Sequence, residues 1–189
     1  ADHSVAVIED LLSLSTFNNE QHTTDVNFVI NDLMSSPKIM DQAILKNVNL
    51  DSHLTESIQP VAGSKLHVQR ILENLLSNAL DSHPSGGSTL VSSEQIYTDG
   101  RTLFYDNLDP GYFVVIGVED KGSGIHPEDL DSIFQPFFSR GEVRQKNMGL
   151  GMSVVRAIVR QLGGGIDVIS EMGQGTRFDI YLPVAITSR

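Results

Sequence analysis

The stretch from Ser64 to His83 constrains the fold more than any other part of the chain. Val68, Leu72, Leu75, Leu76 and Ala79 fall on one side of a helix, and the turn signal Pro84-Ser-Gly-Gly stops it. A helix with so complete an apolar stripe must lay it on a matching layer. Strands are available for that layer. Asn47 to Leu54 alternates, and Thr89 to Tyr97 and Tyr112 to Glu119 are rich in β-branched and aromatic residues. Ile166 to Ser170 and Thr176 to Pro183 flank a Gly173-Gln-Gly175 turn. Further helices are expected over Val26 to Leu45, restarting at Pro37, over Glu128 to Phe134, and over Leu150 to Leu162, which three glycines close. The expected class is α+β: a two-layer α/β sandwich whose mixed, mostly antiparallel sheet carries helices on one face.

Composition narrows what such a sandwich can do. A net charge of -11 argues against a nucleic-acid surface, which needs clustered Lys and Arg, but not against a nucleotide held by a few local donors. With no cysteine, disulfides and thiolate metal sites are excluded. The longest apolar run, Tyr112 to Val118, is too short to span a bilayer, so membrane contact is not expected of this stretch and a cytoplasmic setting is.

Four places carry candidate chemistry. In Ile71-Leu-Glu-Asn-Leu-Leu-Ser-Asn-Ala-Leu-Asp81, the residues Asn74, Asn78 and Asp81 stack on the helix side away from the apolar stripe. An amide oxygen is a neutral, hard ligand suited to Mg2+ already balanced by phosphates. An apolar strand then ends in Val118-Glu-Asp-Lys-Gly-Ser-Gly-Ile125. There Asp120 can accept from an amine, while Gly122 and Gly124 let backbone approach a ligand. Next, Gly149-Leu150-Gly151 opens a helix whose free amides suit an anion, with Arg140, Arg144 and Lys146 just upstream. Last, Gly173-Gln-Gly175-Thr176 feeds the final strand. Each alone is equally well a polar helix face, a turn or a plain cap. Their order, with Phe134-Gln-Pro-Phe-Phe138 between the second and third, is what carries weight.

In that order they resemble the histidine-kinase-like ATPase superfamily, and within it the sensor histidine kinases, over about Val26 to Pro183. The resemblance implies Mg2+ at Asn78, with Asn74 lining the same catalytic site. It implies the adenine amine on Asp120, with Thr176 beside it. ATP contacts are implied for Asp81, Gly122, Gly124, Ile125, Phe138, Gly149, Leu150 and Gly151, with Arg140 and Lys146 reaching the phosphates. Ser139 to Met148 would form a lid anchored by Phe137 and Phe138. The implied activity is transfer of the ATP γ-phosphate to a histidine on the protein's own dimerisation domain, then to a response regulator, within a homodimer.

Relatives that hydrolyse ATP carry a glutamate four residues before the metal-binding Asn. Here that place holds Asn74, which cannot be a general base, and Glu73 lies about 100° round the helix. None of the six histidines has the setting of a phosphoacceptor. Val5 to Leu14 resembles the tail of the dimerisation region's second helix, with Thr16 to Thr24 as a linker. Residues 1–24 are therefore expected to be the end of that region, and 25–189 a catalytic ATP-binding domain with no acceptor in cis. Asn147-Met148 replaces the family's frequent Gly-Thr. Two alternatives stay open, an ATP-hydrolysing conformational switch and a degenerate nucleotide-binding scaffold. The long stretch Thr98 to Gly111 holds Asp, Gly, Asn and Pro and reads as a long hairpin loop; it resembles insertions of some hybrid sensor kinases and is expected to be a neutral surface insertion.

Overall fold

A computed structural model describes residues 22–138 and 149–185. The expected helix at Val5 to Leu14 and the expected lid lie outside these residues. Two helices come first, α1 (Val26–Met34) and α2 (Pro37–Lys46). Each is capped by a side chain, Asp25 accepting from the Phe28 amide and Ser36 from the Ile39 amide. Pro37 sits in the first turn of α2, where its missing N–H costs nothing. The long helix α3 (Lys65–Asp81) starts where the Ser64 amide donates to His67 Nδ1 at 3.3 Å. The last helix is α4 (Gly151–Gln161).

The main sheet has five strands in the order β2-β4-β7-β9-β8. These are β2 (Val48–Leu54), β4 (Gly87–Thr98), β7 (Gly111–Asp120), β8 (Gly165–Glu171) and β9 (Gly175–Pro183). Only β2 and β4 run parallel, joined by the crossover that contains α3. The expected mixed, mostly antiparallel sheet is therefore present. Alternation then sorts side chains by face. Val114, Ile116 and Val118 of β7, with Ile180 and Leu182 of β9, join the buried faces of all four helices in one core. Ile71, Leu72, Leu75 and Leu76 of α3 fill its middle. Each such side chain contributes about 1.5–3 kcal/mol by leaving water.

Three features depart from the sequence reading. Thr23–Thr24, read as linker, forms a short strand β1 against β3 (Val61–Ala62). The Val61 backbone also bridges to Val184, and the Ala185 amide donates to the Pro60 carbonyl at 2.9 Å. Residues 128–134 are not a helix. A 3-10 turn, Pro127–Asp129, leads into further turns through i-to-i+3 bonds such as Gln135 N–H to Ser132 O. The Leu130 carbonyl, which an α-helix would bond to residue 134, accepts instead from the Tyr105 hydroxyl, and Pro136 has no N–H to propagate one. Thirdly, the stretch between β4 and β7 is no neutral loop. It folds into a hairpin of β5 (Arg101–Thr102) and β6 (Asn107–Leu108). Its Leu103 and Leu108 are buried with Phe113, Val115 and Tyr181 on the sheet face opposite the helices.

Candidate functional site

Asp120 ends β7, paired on one side with Thr89 of β4 and on the other with Thr176 of β9. All three side chains point to the helix layer and are at most 5% exposed, so strand alternation has carried a carboxylate indoors. Its Oδ1 accepts from the Gly122 amide at 2.9 Å and from the Ser82 hydroxyl at 2.9 Å. Burial pushes the carboxyl above the usual aspartate range, while the Gly122 and Ser82 hydrogen bonds pull the other way. Its chain neighbour Glu119 faces the opposite side, where Lys121 and Arg177 hold it below the usual range. Adjacent carboxylates thus take opposite characters from the pleat alone.

The glycines around Asp120 leave no room for a side chain, Gly124 and Gly175 against backbone and Gly122 against Ser82. A Cβ on Gly122 would lie 2.0 Å from Ser82 Oγ, and one on Gly124 2.2 Å from the Glu171 carbonyl oxygen. A Cβ on Gly175 would lie 1.9 Å from the Asp120 carbonyl oxygen. The Gly173 amide donates to Ser123 O at 2.8 Å, and Ser170 Oγ accepts from the Ile125 amide while lying 2.9 Å from Thr176 Oγ1. Two of the motifs, Asp120-x-Gly-x-Gly and Gly173-x-Gly-Thr, are therefore one construction. Thr89 Oγ1 is buried without a hydrogen-bond partner among the described residues. A buried polar atom beside a buried carboxylate suits a polar ligand placed there.

The other end of the site lies along α3. Asn74 Nδ2 donates to the Arg70 carbonyl at 2.8 Å, which turns Oδ1 toward Gly151. A Cβ on Gly151 would lie only 2.6 Å from that oxygen, so α4 begins against Asn74. Unlike α1 and α2, α4 has no side-chain cap, and like them it has no acidic residue in its first turn. Its leading amides are the kind of donors an anion satisfies. Asn78 stands one turn from Asn74, between α4 and the Ser82–Asp120 contact. From Asn74 to Ser82 the helix rises about 12 Å. Among the described residues no three His, Asp or Glu side chains gather into a metal cage. A metal here would arrive with an anionic ligand, and Asn78 would be its protein oxygen.

The remaining expected residues fall as follows. Asp81 is on the same helix but pairs with Lys46 of α2 at 3.1 Å. Ile125 packs against the core beside the Asp120 loop, and Phe138 packs on it near Gly149 and Leu150. The Phe137 amide donates to the Gly149 carbonyl at 3.0 Å, but its ring is 68% exposed and so anchors nothing in the core. Arg140 and Lys146 lie outside the described residues. Glu73 is occupied on its own helix, by Gln69 Nε2 at 3.0 Å and Arg70 at 3.5 Å. Ser82, Thr89 and Ser170 escape a reading by motif. Ser82 could have been suspected as the hydroxyl following α3. Thr89 and Ser170 become visible only once strand register is known.

A buried acid thus lies at one end of α3, and the uncapped tip of α4 lies at the other. The chain matches the family described as histidine kinase-, DNA gyrase B- and HSP90-like ATPase over residues 63–186, and it belongs to that family. Within it, the similar proteins are sensor kinases. The chain is 32% identical to the sensor kinase CckA of Brucella abortus over its whole length, covering 20% of that protein. It is 34% identical to sporulation kinase D of Bacillus subtilis over 83% of the chain and 28% of the relative. It thus spans between a fifth and a third of these relatives. Among solved structures, full-length ShkA in complex with AMPPNP superposes with a TM-score of 0.72 at 20% identity, covering 98% of this chain and 37% of that one. The catalytic domain of histidine kinase ThkA gives 0.69 at 23% identity, over 87% and 95%. At those identities the structures establish the shared fold.

Proposed function

We propose that this domain binds Mg-ATP and transfers the γ-phosphate to a histidine on a separate dimerisation domain, for onward transfer to a response regulator. The observation that carries the proposal is the Ser82–Asp120 hydrogen bond. It ties the helix bearing Asn74 and Asn78 to the buried acid, so that one ligand can meet both. In this reading ionised Asp120 accepts from the adenine amine, with Thr176 and the unpartnered Thr89 hydroxyl beside it. Gly122 and Gly124 bring backbone to the purine, and Ile125 lies next to them. The first amides of α4, around Gly149, Leu150 and Gly151, donate to phosphate oxygens, and Phe138 flanks them. Asn78 holds the magnesium ion by its amide oxygen and Asn74 supports it. Asp81 joins this set only by releasing Lys46. The metal, when bound, neutralises phosphate charge, the main requirement of phosphoryl transfer. Arg140 and Lys146 extend the phosphate contacts.

Among the described residues, neither Asn74 nor Glu73 is placed to take a proton from water at the phosphate end. Asn74 is an amide and Glu73 is paired within its own helix. This supports transfer to a protein over free hydrolysis. The relatives act as sensor kinases, which supports a homodimeric, two-component setting in the cytoplasm, with residues 1–24 closing the dimerisation region. Two of the described histidines hold structural places, and none of the six has the setting of a phosphoacceptor. His83 lies buried between the Ala79 and Ser88 carbonyls, and His67 serves the start of α3. The acceptor is therefore proposed to lie elsewhere. The deciding experiment mixes this chain, Mg-ATP and the acceptor domain of its parent. An acid-labile, alkali-stable phosphoprotein is expected; an acid-stable product, or none while the chain hydrolyses ATP rapidly, refutes the assignment.

A further inference from the structure

The hairpin between β4 and β7 reaches well past the strands it joins. Tyr105 lies edge-on to Phe134, ring centroids 4.7 Å apart, and its hydroxyl donates to the Leu130 carbonyl. The Arg156 guanidinium of α4 sits 5.5 Å from the Tyr105 ring and 5.4 Å from the Phe134 ring, within cation–π reach of both. One turn further along α4, Arg160 Nε donates to Asp106 Oδ1 at 2.9 Å, while Asp106 Oδ2 accepts from the Ile166 amide at 3.3 Å. The Asp106 side chain is only 9% exposed, so this is more than a surface ion pair. Burial pushes the Tyr105 hydroxyl up to about 12, which keeps it a donor at any working pH.

These contacts grip two segments, and both lead to the phosphate end. The turns from Leu130 run on to Phe137, which bonds the Gly149 carbonyl. Arg156 and Arg160 lie on the helix whose first residue, Gly151, abuts Asn74. No residue of the hairpin touches Asp120, Gly122 or Thr176 in any hydrogen bond or ion pair of the described residues. We propose that Tyr105 and Asp106 are positioning residues for the phosphate half of the site. They align the Leu130–Phe138 turns with α4, so that the α4 amides and Asn74 meet the phosphates in register. The inference rests on the nucleotide-binding reading and adds to it a device that reaches α4 from the hairpin between β4 and β7.

The test follows backbone amide resonances of the full chain during an Mg-ATP titration, with Gly122 reporting the purine end and Gly151 the phosphate end. In Tyr105→Ala, Gly122 should still respond, the Gly151 response should shrink, and the Kd should rise about tenfold, roughly the loss of one hydrogen bond to phosphate. Tyr105→Phe keeps the ring, so it should recover most of the Gly151 response. Asp106→Asn should act like Tyr105→Ala, more weakly. If Tyr105→Ala loses its melting transition, Tyr105→Phe and Asp106→Asn decide by the same two amides. Wild-type responses throughout, or equal loss at both amides, overturn the proposal. An unaltered chain in which neither amide responds to Mg-ATP sinks the nucleotide reading instead.

Discussion

The two ends of the site are built from different materials. Around Asp120 the walls are backbone: strand ladders to Thr89 and Thr176, and glycines pressed onto carbonyl groups. Around Asn74 and Gly151 the walls are side chains and a bare helix tip. Backbone walls cannot yield without breaking the sheet, whereas a side-chain wall can turn. The Asp120 end is thus fixed on folding, and the Asn74–Gly151 end is free to respond to what it holds.

That contrast can be broken most severely at Asp120. Asp120→Ala should lower Mg-ATP affinity by about a hundredfold or more in calorimetry, since a site built around a buried partner rejects its loss strongly. Asp120→Asn should also bind poorly, yet melt higher than the unaltered chain. The sign follows from burial. With its folded pKa raised, the acid favours the fold when protonated, and that contribution is lost as pH rises from the ordinary aspartate value through the raised one. Affinity for the adenine amine runs oppositely. It should weaken as pH falls, beginning above the usual aspartate range, and a flat pH profile would show that Asp120 does not accept from the ligand.

A smaller effect is expected at the neighbouring glycine. Gly175→Ala drives a Cβ into the Asp120 carbonyl at a φ of 111°, so denaturant unfolding should register a loss of roughly 2–4 kcal/mol. At the phosphate end the matching change, Gly151→Ala, meets only the tip of the Asn74 side chain. Its stability should stay within about 0.5 kcal/mol, while Mg-ATP affinity falls severalfold. Equal destabilisation by the two substitutions would erase the distinction between the walls. The smallest effect belongs to Glu73→Gln, which should leave phosphoryl transfer and any residual hydrolysis unchanged; a marked loss of ATP turnover would restore Glu73 as a base.

How much was legible in advance follows the same division. Four helices and the positions of the main strands could be read because their apolar periods are long, as in Val68 to Ala79. Asp120 and the glycine pairs could be read because their spacing is short-range. What could not be read depends on register. Thr89 and Ser170 belong to the site only because β4 and β8 pair where they do. The stretch between β4 and β7 was legible as a hairpin loop, but its own strand pair at 101–108 was hidden because two-residue strands carry no period, although Leu103, Tyr105 and Leu108 are conspicuous apolar residues in a polar stretch. The failed helix at 128–134 has the same origin. Its fate was decided by Tyr105, two dozen residues away, taking the Leu130 carbonyl.

The small strand at Val61 holds Thr24 on one side and Val184 on the other. Polypeptide therefore arrives and departs through a single corner. Tension between the two exits should act first on the pairings of Val61 and on the Val184–Tyr112 hydrogen bond that continues β9. Circular permutants closed by a short linker across the corner should fold, and the body can be hung from neighbouring segments like a door from one hinge.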